Sequence, residues 1–432
     1  VLPFARVRVD TGVFHLDQLY DYQIPEKLSS SIQIGVRVQL PFGGRETEGI
    51  VVERVATPER AGELKSITKV LSPIPVATLQ SFSLIDDVAA HYACNPWDVI
   101  RSAIPPRVAS VDKGFEQELQ KVSVVSKFSV EFRTLVPFKS AQDQIAAMVA
   151  DNALTGSVLI VAPDEKDVER LYTSLHPHFE NVLPLTSSLS REDRYRNYLL
   201  AMRTEGSVVI GTRSAIFAAP SDLRTLIIFR EISESFYEPR VPGWNVRDLS
   251  LLRSANEGLD LYFAGYSPSS EIGKLIDEKK VNFVSKRNRL KVTNHPSVNG
   301  ELLPGRIFTS IRTALKSGPV LFLVPRKGYA SSLMCKKCRN IALCECGGRL
   351  SKSGVNENAN CVHCGVKANL QKCKWCGADS MVLLGRGAER HAEEIGRAFP
   401  GFPVLYSNAQ KPIESQDGQP ALVISTTGMV PR

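Results

Sequence analysis

No stretch of the 432 residues approaches 18 consecutive apolar side chains, although 43% of the chain is hydrophobic, so the sequence offers no membrane-spanning helix. Val1-Leu-Pro-Phe4 runs at once into Arg6 and Arg8, and no secretory leader is read there. Cysteine is almost missing from residues 1–334, where Cys94 stands alone and reads as a small buried hydrophobe. That scarcity fits a reducing, cytoplasmic setting. Serine, histidine and aspartate are scattered with no nucleophile elbow, which leaves a hydrolase without support. His15, His91, His176, His178, His295 and His391 have no ligand-like neighbour in the sequence. Internal repeats and low-complexity tracts are absent too. What is present is length for two to four domains and a formal charge of +8, with a pI near 9.0, which mildly favours an anionic partner.

The missing thiols are gathered in one place. Residues 335–376 hold eight of the nine cysteines as four close pairs. Cys335-Lys-Lys-Cys338, Cys361-Val-His-Cys364 and Cys373-Lys-Trp-Cys376 are C-x2-C knuckles, and Cys344-Glu-Cys346 is one residue tighter. A C-x2-C turn aims two thiolates at one tetrahedral centre, and two such pairs complete an S4 zinc site, so eight thiolates imply two zinc ions. Gly347, Gly365 and Gly377 follow three of the pairs, as tight metal turns require, which favours metal over disulfides. His363, inside a knuckle, is a reserve ligand should the tight pair fail to supply both of its own. Residues 333–380 also carry eight Lys/Arg against three Asp/Glu, and Lys286-Arg-Asn-Arg-Leu-Lys291 is a basic run. Both support a nucleic-acid partner without proving one.

Taken in order, residues 1–72 alternate as β-strands at 4–9, 36–40, 49–52 and 67–71, broken by Pro25, Gly35 and Pro41-Phe-Gly-Gly44. Their charges balance at nine of each sign over residues 1–70, so a nucleic-acid site here must be a local pocket, with Phe14, Tyr20 and Tyr22 as stacking candidates. Residues 73–112 show two helical patterns, one with Leu84, Ile85, Val88 and Tyr92 on a face, the other opened by Asn95-Pro96; a winged-helix unit is expected. Residues 107–128 read as a linker. From 130 onward apolar runs at 158–162, 207–213, 225–229 and 261–265 alternate with amphipathic segments, the signature of a parallel α/β sheet. A second α/β unit starts at Pro319-Val-Leu-Phe-Leu-Val324, is interrupted by the cysteine module and resumes at 388.

Several of these segments together resemble the PriA family of replication restart (primosomal N′) proteins. They are Pro41-Phe-Gly43, Gly49-Ile-Val51, Leu64-Lys65, Ile210-Gly-Thr-Arg-Ser-Ala-Ile-Phe217, and Arg326-Lys-Gly-Tyr329 leading into the cysteine pairs. The resemblance runs from about residue 3 to the end. It implies an α/β protein with a small N-terminal β domain that holds a DNA 3′ end (1–72), a winged helix (73–112) and two RecA-like helicase-type lobes (113–290 and 291–432). The second lobe, with a double-zinc insertion at 333–380, is expected to be incomplete, because the family continues beyond the counterpart of Ser425-Thr-Thr-Gly428. The resemblance also assigns the 3′-terminal nucleotide to Tyr20, Asp21, Gly43 and Lys65, with Tyr20 where the family has phenylalanine. It sorts the thiolates into an interleaved pattern, Cys335, Cys338, Cys373 and Cys376 on one zinc and Cys344, Cys346, Cys361 and Cys364 on the other.

Helicase chemistry needs parts this chain lacks. A phosphate cradle G-x4-G-K-[ST] should precede the Val158 strand, but Leu135-Val-Pro-Phe-Lys-Ser-Ala141 has no glycine before Lys139-Ser140, and Pro137 deletes an amide. Where the family places Asp-Glu-Glu-His to hold Mg²⁺ and orient water, the chain reads Arg230-Glu-Ile-Ser233. The Ser-Ala-Thr coupling motif is reduced to Gly265-Tyr-Ser-Pro268. The chain therefore looks like the helicase-dead branch of the family found in actinobacteria. The expectation is a non-enzymatic, nucleoid-associated binder of forked or gapped DNA with a 3′ end, working with single-stranded DNA-binding protein and with primosome and replicative-helicase components. The rival readings are an active ATP-dependent 3′–5′ helicase with a divergent nucleotide site, and a zinc-containing adaptor that binds proteins only.

Overall fold

The computed structural model describes every residue except 1, 60–61, 117–127, 138, 154, 286–290, 296–302, 325–331, 353–356, 369–371, 385–387, 409–410, 414, 427–428 and 432. Most of the basic run 286–291, the Arg326–Tyr329 motif and Gly428 lie outside the described residues. The chain divides into two compact units, Val1–Arg289 and Leu290–Arg432.

The first unit opens with an antiparallel five-stranded sheet made of β1 (Phe4–Val9), β2 (Leu19–Gln23), β3 (Arg37–Phe42), β4 (Arg45–Val55) and β5 (Lys69–Ser72), in the order β2-β1-β4-β3-β5. Period-two alternation builds its core: Ala5, Val7 and Val9 of β1, Val38 and Leu40 of β3 and Val51 of β4 all point to one fully buried face. Strand β2 alternates too briefly to stand out, with Tyr20 and Tyr22 toward the core and Asp21 on the other face. Only Tyr22 is buried there, and the strand is held by its pairing with β1, Arg6 opposite Asp21 and Val7 opposite Tyr20.

Helices α1 (Leu79–His91) and α2 (Pro96–Ala103) follow, α1 closed at its start by a Thr78/Ser81 capping box. A single helical turn, α3 (Ala109–Asp112), comes next. No strand lies within residues 73–112, so this segment is a helical pair without the hairpin wing expected of it. Nor do residues 107–115 act as a free linker. Val111 and Asp112 are buried, and the Asp112 carboxylate accepts hydrogen bonds from Arg107 at 2.6 Å and from the Tyr195 hydroxyl at 2.9 Å. Phe82, Trp97 and Ile100 share one hydrophobic core with Tyr198, Phe217 and Trp244 of the following lobe, and Tyr198 donates to the Val76 carbonyl.

That lobe consists of β6 (Val130–Thr134), α4 (Ala141–Asn152), β7 (Ser157–Val161), α5 (Glu165–Leu175), β8 (Val182–Leu185), α6 (Arg191–Ala201), β9 (Val208–Gly211), β10 (Leu223–Phe229), α7 (Val246–Glu257), β11 (Asp260–Gly265), α8 (Ser270–Asp277) and β12 (Asn282–Val284). All seven strands run parallel in the order β12-β6-β11-β10-β7-β9-β8. Both faces are covered, which is why β7 and β10 read as continuous apolar runs. Leu226 and Ile228 enter the core on one face, Ile227 and Phe229 the core on the other. The order sets β6, β11 and β10 side by side, so the segments after their carboxyl ends, 135–140, 265–269 and 230–233, line one edge of the lobe.

In the second unit α9 (Phe308–Ala314) leads to β13 (Val320–Val324). The cysteine module follows with β14 (Ser332–Cys335), β15 (Leu350–Ser351), β16 (Ala359–Cys361), β17 (Lys367–Ala368) and β18 (Met381–Leu384), and then α10 (Ala388–Ala398), β19 (Val404–Ser407) and β20 (Leu422–Thr426). Strands β13, β20 and β19 form a parallel sheet in that order, packed through Leu422 and Ile424 on Leu315, Ile395 and Phe399. The module leaves and returns through one antiparallel pair, Cys335 opposite Met381 in β14 and β18. An insertion is thereby closed at its base by a two-stranded ribbon.

Candidate nucleic-acid interface and metal centres

Tyr20, Asp21, Gly43 and Lys65 come from three separate segments, and the sheet brings them to one cleft of about 360 Å³. Strand β2 supplies the first two and the β3–β4 turn the third. The fourth is placed by the strand-like bonds Gln23 N–H to the Lys65 carbonyl, 2.9 Å, and Ile67 N–H to the Gln23 carbonyl, 3.1 Å. Tyr20 meets Phe42 edge-on at 4.9 Å, and its hydroxyl donates to the Leu16 carbonyl at 2.8 Å, so one aromatic wall is held in place. Tyr22 lies behind it; burial, with the neighbouring Tyr20, pushes its phenol up to about 12, and its hydroxyl is spent on the Pro41 carbonyl. Phe14 is exposed in a turn before β2. Of the three aromatic candidates, Tyr20 and Tyr22 line the cleft, and Tyr20 is the more exposed of the two.

The Asp21 carboxylate is already oriented. One oxygen lies 3.4 Å from the Arg6 guanidinium and the other accepts the Glu59 amide at 2.6 Å. A carboxylate has about four acceptor positions, so capacity for a ligand hydroxyl remains. With Glu59 and Glu63 also lining the cleft and Lys65 as the basic lining residue, the local charge is acid-rich. Such a lining suits a sugar hydroxyl and a stacked base better than a terminal phosphate. Gly43 and Gly44 form a two-residue hairpin closed by the Phe42–Arg45 pair, with φ of +55° and +79°. This is the left-handed geometry such turns demand. A Cβ at Gly43 would touch nothing in the protein, so the glycine serves the turn and leaves its outer face open.

The eight clustered thiols form two groups, Cys335/Cys338/Cys373/Cys376 and Cys344/Cys346/Cys361/Cys364, with the sulfurs of each group within 4.8 Å of one another. The tightest separations are 3.4 Å for Cys346–Cys361 and 3.5 Å for Cys335–Cys376. Tetrahedral zinc at about 2.3 Å from each sulfur spaces them about 3.8 Å apart, so the donor sets fit that ion. Disulfide bonding, at about 2.05 Å, does not describe them. Amides of His363 and Cys364 point at the Cys361 sulfur, and the amide of Cys338 helps to hold the Cys335 thiol down to about 7, the thiolate-stabilising geometry of a metal knuckle. His363 contributes no ring nitrogen to either group. The tight Cys344-Glu-Cys346 pair is accommodated by a residue that pattern reading passed over. A Cβ on Gly348 would lie 2.6 Å from the Cys361 sulfur and 2.7 Å from the His363 side chain. The doubled Gly347-Gly348 after the short pair was the available signal. Gly348→Ala is expected to lower bound metal from two ions per chain to one, read by metal analysis, with the Cys335 cluster keeping its own.

The lobe edge lined by 135–140, 230–233 and 265–269 is where the family resemblance puts the nucleotide motifs of a helicase. After β6 the loop 135–140 turns its carbonyls inward. Gln144 reaches back from α4 so that its amide group faces the carbonyls of Val136, Lys139 and Ser140 at 3.1, 3.4 and 3.3 Å, while its oxygen takes the Val136 amide at 2.8 Å. A phosphate nest needs convergent amides. Here the described part of the loop presents carbonyl acceptors around the two hydrogens of the Gln144 amide, and the Ser140 carbonyl also accepts the Gln144 backbone N–H at 3.2 Å. After β10, Arg230 has φ of +56° and its guanidinium binds Asp167 at 3.0 Å. Glu231 is 3% exposed; one oxygen accepts the Ser269 amide at 2.6 Å and the other has no partner. Burial raises its carboxyl above the usual range. It therefore has a structural role at the start of α8, which its sequence context did not reveal.

Among known proteins, the family model of the PriA 3′DNA-binding domain (3′BD) matches residues 6–105, a span that includes the cleft and runs past residue 72 through α2. The probable replication restart protein PriA of Mycobacterium bovis is 32% identical over 465 residues, covering 98% of this chain and 71% of that protein. The corresponding protein of Mycobacterium leprae is 30% identical with 98% and 72% coverage, and replication restart protein PriA of Rickettsia conorii is 24% identical with 88% and 63%. A match to the 3′DNA-binding domain model, a parallel α/β lobe and a cysteine-rich insertion with two four-cysteine clusters place the chain among the replication restart proteins. The chain belongs to the PriA family of replication restart proteins. Among the described residues no helix is long and apolar enough to cross a membrane.

Proposed function

We propose that this chain recognises forked or gapped DNA by its free 3′ end and marks it for reloading of the replicative helicase, without hydrolysing ATP itself. The observation that carries the reading is the cleft of Tyr20, Asp21, Gly43 and Lys65 inside the stretch matched by the 3′DNA-binding domain model. In this reading the terminal base stacks on Tyr20, Asp21 accepts from the 3′-hydroxyl, the open face of the Gly43 turn receives the backbone and Lys65 neutralises the penultimate phosphate. The two cysteine clusters bind zinc, which would supply structural cross-links and no chemistry. Support for the missing ATPase comes from the inward carbonyls around Gln144 and from Arg230 at the metal-holding position. The protein works at the nucleoid in the cytoplasm beside single-stranded DNA-binding protein and primosome components.

Binding of a fork with a recessed 3′-hydroxyl tests the reading. Asp21→Ala is expected to weaken it at least about tenfold, on the order of the 1.5–3 kcal/mol of a charged hydrogen bond. The same substitution also removes one of three carboxylate partners of Arg6, which keeps Glu53 and Glu59, so Arg6→Ala is the control for indirect loosening. Unchanged affinity in Asp21→Ala would remove the cleft from the account.

A further inference from the structure

Trp375 lies in the third cysteine knuckle with 62% of its surface exposed, whereas Trp97 and Trp244, the other two tryptophans of the chain, are buried. A knuckle does not need an indole at that position, since its turn requires only the thiolates and the glycine that follows, Gly377, at φ +69°. The ring forms one wall of an open cleft of about 410 Å³ between the two cysteine clusters, with Leu343, Glu345, Lys374 and Met381 among its other walls. That volume lies within the roughly 300–1,000 Å³ of small-ligand sites and is ample for one nucleobase.

Lys374 lines the cleft itself, and further cations lie on the same module. Lys336, Lys337, Arg339, Lys372 and Lys374 are all exposed on this module, and none of them is in an ion pair among the described residues. Over residues 333–380 only Glu345, Glu357 and Asp379 oppose eight basic side chains. Unpaired cations on the module that carries an exposed flat aromatic make an uncommitted surface for a chain that carries both phosphates and π faces.

We infer that this cleft is a second nucleic-acid subsite, taking a base from within a single strand of DNA against Trp375, with Lys374 and its neighbours on the flanking phosphates. An acidic peptide would satisfy the lysines and leave the indole uncovered, so the single strand uses more of what is present. Base–aromatic stacking contributes roughly five- to a hundredfold in affinity per base and is indifferent to base identity. The inference rests on the reading of the chain as a DNA binder, but not on capture of a 3′ end, because an internal nucleotide suffices.

Trp375 is the exposed tryptophan, so its emission reports the site directly. The metal-loaded full chain is titrated with an oligothymidylate whose 3′ end is phosphorylated, which keeps it out of the N-terminal cleft. Saturable quenching is expected, weakening with salt with a slope of about −0.7 per phosphate contacted, and equal in Asp21→Ala. Anisotropy of the same labelled oligomer should show Trp375→Ala binding about tenfold or more weakly with both metals retained, and Trp375→Phe recovering most of the loss. Absence of quenching, or undiminished affinity in Trp375→Ala, overturns the inference. So does quenching by polyglutamate without quenching by DNA, which would assign the surface to a protein partner. Loss of 3′-hydroxyl discrimination with quenching intact would remove the reading of the N-terminal cleft and leave this one standing.

Discussion

Stripping metal from the cysteine module is expected to unfold residues 332–384 while Val1–Arg289 keeps its structure. The module's own core is small: Leu333, Ala342, Leu350, Ala359 and Cys361 are its buried members. Two leucines contribute only about 1.5–3 kcal/mol each on burial. The conformational entropy of ordering some fifty residues far exceeds what this core returns. Structural zinc, by contrast, contributes about 10–16 kcal/mol per site. The outer cluster joins Cys335 and Cys338 to Cys373 and Cys376, so it closes the loop that contains the inner one. Cys335→Ser or Cys373→Ser should therefore cost both metals, whereas Cys344→Ser should cost one and leave β14 paired with β18. Metal content together with limited proteolysis reads both outcomes. A Cys335→Ser chain that still holds two ions, or an apo chain protected across 332–384, would contradict the assignment.

The second large effect concerns ATP. Turnover on forked DNA is expected to stay at background, against the 1–100 s⁻¹ typical of phosphotransferases with complete sites, and Glu231→Gln should change nothing in that assay. The physical reasons are separable. Loop 135–140 directs carbonyls where a phosphate requires amides, and Gln144 occupies them. Arg230, tied to Asp167, puts a cation at the position to which the family resemblance assigns the Mg²⁺-holding carboxylate. Gln144→Ala removes the occupying side chain but not the loop's carbonyl orientation, so it too should remain inactive. DNA-stimulated hydrolysis on the order of 1 s⁻¹ that Glu231→Gln abolishes would establish an active motor.

Much of this was legible in the residues themselves, and the unread part has a common cause. Strands β7, β10 and β11 announce themselves as apolar runs because both faces of a parallel sheet are buried. The knuckle spacings point to metal because two thiolates on one turn have little else to do. Strands β2, β6 and β12 were harder: Asp21, Glu131 and Arg133, and Asn282 keep them from forming apolar runs, and alternation over five residues or fewer is too short to identify a strand without its pairing. The expected wing in 73–112 failed for a related reason. Amphipathic spacing identifies α1 and α2 but does not reveal that their apolar faces are spent on Tyr198, Phe217 and Trp244 rather than on a hairpin of their own. The Gln144 contacts, the Arg230–Asp167 pair across 63 positions and the crowding at Gly348 all depend on tertiary approach, which spacing alone does not encode.

The site follows the same division. Tyr20, Asp21, Gly43 and Lys65 could be named from the resemblance, but their partners could not: Arg6 and the Glu59 amide on Asp21, Phe42 against Tyr20, and the acid-rich lining that distinguishes a hydroxyl from a phosphate. That lining makes the central claim testable with the unmodified protein. In a fluorescence anisotropy titration without nucleotide, the chain is compared on two forks identical except for the 3′ end, one a free hydroxyl and the other a phosphate. The account predicts at least about tenfold tighter binding to the hydroxyl fork, because the phosphate would meet Asp21, Glu59 and Glu63. Equal affinity for the two forks would contradict it.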